Sequence, residues 1–143
     1  MKKFIISILQ KHIDNITEHA KNNSKANISL GGGFLAGIQQ GNNKIILGIH
    51  PIKRTYSQHS LYTDTDQEEA EYYFGSNNLK CLGMYMIETR PAKKKLLNLY
   101  KIRKGLMKLI HIDISDNNNP IITANGTLNI VDCQTKLYDN INL

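Results

Sequence analysis

Hydrophobic and polar positions along the chain alternate between the period of a strand and the period of a helix. The apolar segment Lys3–Ile6 predicts an edge strand, and the capping box Ser7-Ile-Leu-Gln10 predicts the start of a helix. Apolar residues then recur at helical spacing until about Lys21, so we predict an amphipathic helix over Ile8–Ala20. His12 lies on its apolar stripe, where we interpret it as a core or boundary histidine rather than a ligand.

Two further apolar segments predict an antiparallel pair of strands. Ile28–Ile38 and Lys44–Pro51 are separated by a turn at Gly41-Asn-Asn43. Three consecutive glycines, Gly31–Gly33, precede neither a dinucleotide-binding helix nor a Gly-Lys-Ser/Thr ending. They therefore indicate a bulge or a close backbone approach within the strand.

The next segments predict a helix, a strand and a second helix. The capping box Thr65-Asp-Gln-Glu68 opens a short helix that Gly75 ends. Leu79–Ile87 is the predicted central strand. It leads into a charged segment and Pro91, where open α/β sheets usually place their sites, so we expect function at this end. Ala92–Lys104 has apolar positions among lysines and arginines, which predicts a basic amphipathic helix ending at Gly105.

The last third of the chain predicts strands. Met107–Ser115 alternates, which puts Leu109, His111 and Asp113 on one face, and Asp116–Pro120 reads as a turn. Within Ile121–Val131 an Asn125-Gly126 pair predicts a β-hairpin. The element order predicts one α+β domain over residues 1–143, close to α/β, with a mixed central sheet flanked by two or three helices.

Charge is unevenly distributed along a chain of 143 residues with a net charge of +6. The segment 64–71 is acidic, and the segment from Arg90 to Lys108 is basic with no acid inside it. This segregation indicates an acidic partner, which could be RNA, an acidic protein face or the chain's own acidic segment. A solvated helix face is the alternative interpretation of the basic segment.

Cys81 and Cys133 each lie in an apolar segment, which favours buried reduced thiols, although a bridge between them stays open. The apolar start of the chain is interrupted at Gln10 and is too short for a secretory leader. No segment has the length and apolar content of a membrane span. We therefore expect a cytoplasmic or nuclear protein.

Three short segments carry a resemblance to a known family. Gly33-Phe-Leu-Ala-Gly37, Gly83-Met-Tyr85 and the strand Leu109–Ile114 occur in an order that resembles MPN (JAMM-type) domains. The resemblance implies an initial strand and helix, a Gly-x-Leu-x-Gly strand, a Gly-x-Tyr turn, a second helix and a final apolar strand containing an aspartate.

Active members of that family hold a hydrolytic zinc with a His-x-His pair and an aspartate, beside a glutamate base. By resemblance the histidine pair maps to Met86 and Glu88, and the base maps to Leu30. The aspartate region, Leu97–Arg103, has no acid, and two extra residues separate Glu88 from Pro91. The chain thus resembles a member without zinc, and we expect no cofactor and no catalytic residues at these vestigial positions.

The resemblance implies a catalytically inactive scaffold that pairs with another MPN protein or with itself. The implied settings are the ubiquitin-linked proteasome regulatory lid, the signalosome and eukaryotic translation initiation factor three. We expect the two amphipathic helices to provide the pairing surface, with these residues: Ile8, Leu9, Ile13, Ile16, Leu96, Leu97 and Tyr100.

Two other hypotheses stay open. The first is an RNA- or ribosome-binding module that uses the cations of the basic segment, with Tyr100 available for stacking. These cations are Arg90, Lys93, Lys94, Lys95, Lys101, Arg103 and Lys104. The second is a hydrolase with an unrecognised site that involves His50, His111 or Asp113. His59 is a further imidazole, but no His-x-His, Cys-x-x-Cys or His-Glu-x-x-His motif is present.

Overall fold

The computed structural model describes residues 4–26, 28, 30–52, 64–89, 107–114, 119–133 and 135–136. Within these residues the chain forms seven strands and two helices, and the predicted α+β class with a mixed sheet is confirmed. The elements are β1 (Phe4–Leu9), α1 (Gln10–Lys25), β2 (Leu30–Gln40), β3 (Asn43–Pro51), α2 (Asp64–Ser76), β4 (Lys80–Glu88), β5 (Lys108–Asp113), β6 (Ile121–Ala124) and β7 (Gly126–Val131). The predicted basic helix over 92–104 lies outside the described residues, as does most of the turn at 116–120.

All seven strands form one sheet, in the order β6-β5-β4-β2-β3-β1-β7. β1 runs parallel to both of its neighbours, β3 and β7, so the prediction of an edge strand was wrong. Its four residues from Ile6 to Leu9 are all buried. A strand that is covered on both faces is typically apolar along most of its length, and the buried part of β1 continues through Leu9. The helix therefore begins only at Gln10, and Ser7 lies in the strand instead of capping α1.

The predicted pairing of β2 with β3 is confirmed. The two strands are antiparallel, and a register shift lies between Ala36 and Gly37. The backbones also approach closely at the glycines, because a Cβ added to Gly32 would lie 2.4 Å from the carbonyl oxygen of Tyr85. The glycine run is thus a place of close approach, and the bulge lies further along the strand.

The predicted hairpin at Asn125-Gly126 was wrong. β6 pairs with β5 and β7 pairs with β1, so the two segments lie at opposite ends of the strand order although one residue separates them. The sheet must therefore curl until its two ends meet at Asn125, whose N–H donates to the Leu109 carbonyl at 2.9 Å. Gly126 has φ +128°, which lets the chain turn sharply from one end of the sheet to the other.

The sheet buries a separate core on each face. α1 covers the first, through Ile13, Ile16 and Ala20, which pack against apolar residues of β1, β2, β4 and β5. α2 covers the second, where Ala70 and Phe74 pack against Phe34, Ala36 and Met84. The prediction that Gly75 ends α2 was wrong by one residue. The helix continues to Ser76, and Asn78, with φ 59°, takes the left-handed conformation that often follows a helix end.

His12 is buried at 8% exposure on α1, as the apolar stripe predicted. Among the described residues, neither ring nitrogen has a hydrogen-bond partner of ordinary geometry. The nearby backbone of Leu47 has the smallest influence on the pKa of His12 and raises it. Burial is the main influence and lowers the pKa of His12, and the charge of Lys11 lowers it further. Burial also lowers the pKa of His19.

These lowered pKa values predict an acid-sensitive fold. The unfolded chain binds protons at these histidines more readily than the folded chain. The stability contributed by the neutral rings is therefore complete above the unfolded histidine pKa of about 6.5 and is lost as the pH falls through it. We expect His12→Leu to flatten the decline in unfolding free energy that urea titrations measure between neutral and mildly acidic pH. Lys11→Met should flatten it less, and an unchanged pH slope in His12→Leu would contradict this assignment.

Candidate functional site at the ends of β4 and β5

Three strands bring distant residues together at one edge of the sheet. β4 and β5 are parallel and end at Glu88 and Asp113, which are register partners. β2 runs antiparallel to β4 and begins at Leu30, which is the partner of Glu88 on the other side. The carboxyl ends of adjacent parallel strands are a common location for sites in α/β sheets. We therefore treat this edge as the candidate site.

The carboxylate of Glu88 and the imidazole of His111 are in contact at this edge. The His111 Nε2 atom lies 3.2 Å from Glu88 Oε2, and the Glu88 side chain is 9% exposed while that of His111 is 23% exposed. The Ile114 N–H donates to the Glu88 carbonyl at 2.9 Å, and the Thr89 hydroxyl donates to the Ile28 carbonyl. These backbone bonds hold the strand end in place, so the carboxylate keeps its position beside the imidazole.

The imidazole of His111 also faces a groove between β5 and β6. The groove has a volume of about 280 Å³, and its other lining residues are Lys108, Leu109, Thr123, Ala124 and Asn125. A carboxylate beside an imidazole can fix the ring's tautomer and hold a proton on Nε2. The arrangement can thus bind a polar group in the groove or transfer a proton to it.

Sequence reasoning named Glu88 and His111 separately and did not pair them. Both residues alternate with apolar neighbours along their strands. Two parallel strands that follow each other in the sequence are usually neighbours in the sheet. His111 is the register partner of Met86, so it follows that His111 shares the face of Met86 and Glu88. The missing information was the register between β4 and β5, which the sequence does not specify.

His50 lies far from this pair. It is the register partner of Phe34 in β2, and its ring contacts those of Tyr73 and Phe74, with centroid distances of 5.4 and 6.2 Å. Three strand spacings separate β3 from β5, which corresponds to about 14 Å. The structure therefore does not bring His50 together with His111 and Asp113. His59 lies outside the described residues.

The three positions that the resemblance assigns to a zinc site lie at this edge, but the side chains of Met86 and Glu88 do not suit zinc. Met86 is buried at 5% exposure and offers a thioether, where a catalytic zinc needs imidazole or carboxylate ligands and an open water position. The Glu88 carboxylate is paired with His111. Among the described residues no group of three histidine, cysteine or acidic side chains could hold a metal ion.

The structure buries all the described residues that were expected to form the pairing surface. Ile8 and Leu9 belong to β1 rather than to a helix, and Ile13 and Ile16 face the sheet from α1. All four are packed within the chain's own core and are at most 5% exposed. The other expected pairing residues, Leu96, Leu97 and Tyr100, and all seven cations from Arg90 to Lys104, lie outside the described residues.

Tyr85 has a role that sequence reasoning missed. Its ring is fully buried, and its hydroxyl lies 2.9 Å from His19 Nδ1, which ties β4 to α1. Burial raises the pKa of Tyr85 and keeps the hydroxyl neutral. A Cβ added to Gly33 would lie 2.5 Å from the Tyr85 ring, so the glycine provides the space that the ring occupies.

The two cysteines are free thiols. Cys81 is partly buried at the start of β4, and Cys133 is exposed just beyond β7. The prediction of reduced thiols agrees with this arrangement. The prediction of burial was wrong for Cys133, because the apolar run of β7 ends at Val131.

Removing the Glu88 carboxylate is expected to destabilise the chain. Glu88→Leu leaves His111 beside an apolar side chain, and we expect a loss of about 2 kcal/mol in the free energy of unfolding. In a double-mutant cycle with His111→Leu, a coupling of about 1 kcal/mol should appear in urea titrations. The exposed pair of Asp132 and Lys136, 3.8 Å apart, is the control and should show almost none. Equal coupling in the two pairs would contradict a specific role for Glu88.

Comparison with known proteins supports the fold class. No family model and no curated protein matches the chain. Among solved structures, the chain is similar to the solution structure of protein DSY2949 from Desulfitobacterium hafniense, with a TM-score of 0.66 and 15% sequence identity. The match covers 90% of this chain and 94% of that chain. At this identity the likeness concerns the fold alone.

None of the described helices is long and apolar enough to cross a membrane.

Proposed function

We propose that this chain is a metal-free MPN-type domain that acts as a scaffold and pairs with another MPN protein or with a second copy of itself. It is not an enzyme and needs no cofactor. A ubiquitin- and proteasome-related complex or a translation-related complex, in the cytoplasm or the nucleus, is the setting that this proposal implies.

One observation carries the proposal. The resemblance assigns the base position to Leu30 and the metal-pair positions to Met86 and Glu88, and Leu30 is far from this pair in the sequence. In the sheet, Leu30 is the register partner of Glu88, and Met86 is two residues earlier in the same strand. A family site requires the segment of the base and the segment of the metal pair to converge, and the antiparallel pairing of β2 with β4 meets this requirement. This convergence supports the resemblance.

The chemistry of the converged residues supports the inactive form. A hydrolytic zinc needs three protein ligands and one open position, so that a bound water can lose its proton. A buried thioether and one carboxylate paired with an imidazole do not provide the three ligands that zinc needs, and the position that the resemblance assigns to the base is a leucine, Leu30. The residues therefore do not fit the metal, and the edge can serve as a rigid part of a scaffold.

Pairing would use side chains that the chain's own core leaves exposed. On α1 these are polar, including Lys11, Asp14 and Glu18, because the apolar side of the helix faces the sheet. Polar and charged groups at an interface determine partner choice and orientation more than affinity. A contact through α1 would therefore be specific and moderately strong.

Native mass spectrometry and sedimentation of the full chain test the proposal. The chain has a mass of 16.2 kDa, so self-pairing predicts a species of 2 × 16.2 = 32.4 kDa, and pairing with another MPN protein predicts a one-to-one complex when the two are co-expressed. The charge reversal Glu18→Lys should weaken pairing through α1, with Glu69→Lys on α2 as the control. A strictly monomeric chain in both settings would contradict the proposal.

The second candidate is an RNA- or ribosome-binding module. The specific observation in its favour is the net charge of +6 together with a segment from Arg90 to Lys108 that contains no acid. Contacts with phosphates release counterions, so this function predicts that affinity for RNA falls steeply as salt rises. Binding that is insensitive to salt would contradict it.

A further inference from the structure

We propose that the chain binds a phosphate monoester in a pocket at the end of the sheet opposite Glu88. The pocket has a volume of about 400 Å³ and lies between the end of β2 and the starts of β3 and β4. Its polar lining is formed by Gln39, Lys44, Asn78 and Lys80, and Ile38 and Leu82 are its main apolar residues. This site is separate from the converged edge and does not depend on the scaffold proposal.

Lys44 is the central residue of this pocket. It lies near the start of β3, where it is the register partner of Gln39 in β2, and it is buried at 5% exposure. Its Nζ donates to Gln39 Oε1 at 2.9 Å and lies 4.6 Å from the centre of the Phe4 ring. An ammonium group has three donors, and one amide oxygen satisfies only one of them. Gln39 and the Phe4 ring therefore leave part of the donor capacity of Nζ for a ligand.

Lys80 adds a second positive charge. It is the register partner of Gly37 at the start of β4 and is exposed. Burial lowers the pKa of Lys44, and the charge of Lys80 lowers it further, so the two ammonium groups repel each other. Among the described residues no carboxylate lies within 4.0 Å of either lysine. An anion bound between them would relieve this repulsion.

The thiol in the pocket does not supply that negative charge. Burial raises the pKa of Cys81 to about 11, with a smaller contribution from Glu71, so the thiol is protonated at neutral pH. The neighbouring Asn78 offers an amide donor, while the Gln39 amide is already bonded to Lys44 and, at 3.2 Å, to the Gly41 carbonyl. The pocket therefore presents several donors and two cations, and none of its lining residues carries a carboxylate.

The shape of the pocket favours a phosphate ester over a bare ion. Ligand sites for small molecules usually have volumes of about 300 to 1,000 Å³, so this pocket has room for more than a phosphate group. Three phosphoryl oxygens can accept hydrogen bonds from Lys44, Lys80 and Asn78, because a phosphoryl group offers three strong acceptors. Ile38, which is 37% exposed, and Leu82 then provide an apolar surface for the esterified group.

Phenyl phosphate and inorganic phosphate are the probes, added to the full chain at constant ionic strength adjusted with sodium chloride. We expect phenyl phosphate to raise the melting temperature and to bind more tightly than inorganic phosphate in calorimetry. Lys80→Gln changes an exposed side chain and should fold normally, and we expect its affinity for phenyl phosphate to fall about tenfold. Lys44→Met should reduce binding further, and Lys136→Gln, which lies beyond β7, is the control and should bind as the unchanged chain does.

Three results would overturn the proposal. The first is no change in melting temperature with either probe in the unchanged chain. The second is an equal loss of affinity in Lys80→Gln and Lys136→Gln, which would indicate only a general effect of net charge. The third is equal affinity for the two probes, which would exclude a contribution from the apolar lining.

Discussion

Replacing Gly126 by alanine is expected to destabilise the chain by more than about 3 kcal/mol, because two penalties coincide at this residue. Its φ of +128° is rarely adopted by residues with a side chain, and an added Cβ would lie 2.0 Å from the backbone oxygen of Phe4. Phe4 belongs to β1, so relieving the clash requires β7 to separate from its only pairing partner among the described strands. Urea titration and the yield of folded protein measure the effect.

Two other glycines provide matched controls. Gly41 has φ +58° with no atom within 4 Å of an added Cβ, so Gly41→Ala should cost about 1 kcal/mol from the backbone conformation alone. Gly75 lies within α2 with open space around it, and Gly75→Ala should stabilise the chain by about 0.5 to 1 kcal/mol. A cost at Gly126 no larger than that at Gly41 would contradict the closure of the sheet at this corner.

Replacing Gly33 by alanine is the second change with a large expected effect. The added Cβ would lie 2.5 Å from the Tyr85 ring, which is fully buried and has little room to move. We expect a cost of about 3 kcal/mol, near the upper end for overpacking a core. Tyr85→Leu alone should also cost about 3 kcal/mol, because it leaves a cavity and removes the partner of His19.

The double variant separates this explanation from a general weakness of β2. Gly33→Ala combined with Tyr85→Leu should cost clearly less than the sum of the two single changes, because the smaller side chain makes room for the new methyl group. Tyr85→Phe loses the contact with His19 and should cost about 1 kcal/mol. It removes the hydroxyl oxygen, which lies 2.5 Å from the added Cβ, but keeps the ring carbons at 2.5 and 2.6 Å, so it should rescue Gly33→Ala only in part. Additive costs in the double variant would contradict the contact between these two residues.

Local patterns predicted the central elements well. β2 and β3 follow from two apolar segments around a Gly-Asn-Asn turn, and β4 follows from an apolar run between polar ends. α2 was predicted within two residues from its apolar positions Ala70 and Phe74, although Thr65, the first residue of the predicted capping box, lies inside the helix. In each case neighbouring residues carry the information, so the sequence alone was sufficient.

The errors occurred where distant residues decide the structure. An Asn-Gly pair favours positive φ, which suits a hairpin turn and a sheet corner equally. Asn125 does not adopt positive φ, as a type I′ turn would require, and its N–H instead bonds to Leu109 in a distant strand. Likewise, Ser7 matches a capping box, but pairing of β1 with β3 and β7 extends the strand to Leu9.

The candidate site was predicted in part for the same reason. The carboxyl end of β4 was expected to carry function, and Glu88, His111 and Asp113 were all named from the sequence. Their grouping depends on the register of β4 with β5, and the separation of His50 depends on the strand order. Neither is encoded in a local pattern. The pocket around Lys44 was missed because its residues come from three strand ends and the segment before β4.

Metal content is the most direct test of the central claim that the vestigial site cannot hold zinc. Elemental mass spectrometry of the full chain, purified without chelator and then dialysed against zinc and washed, gives the number of zinc ions per chain. The account predicts far less than one zinc ion per chain, both as purified and after zinc loading. A zinc content near one ion per chain that falls when Glu88 or His111 is replaced would contradict the account. It would indicate instead a metal site of the kind found in metal-dependent hydrolases.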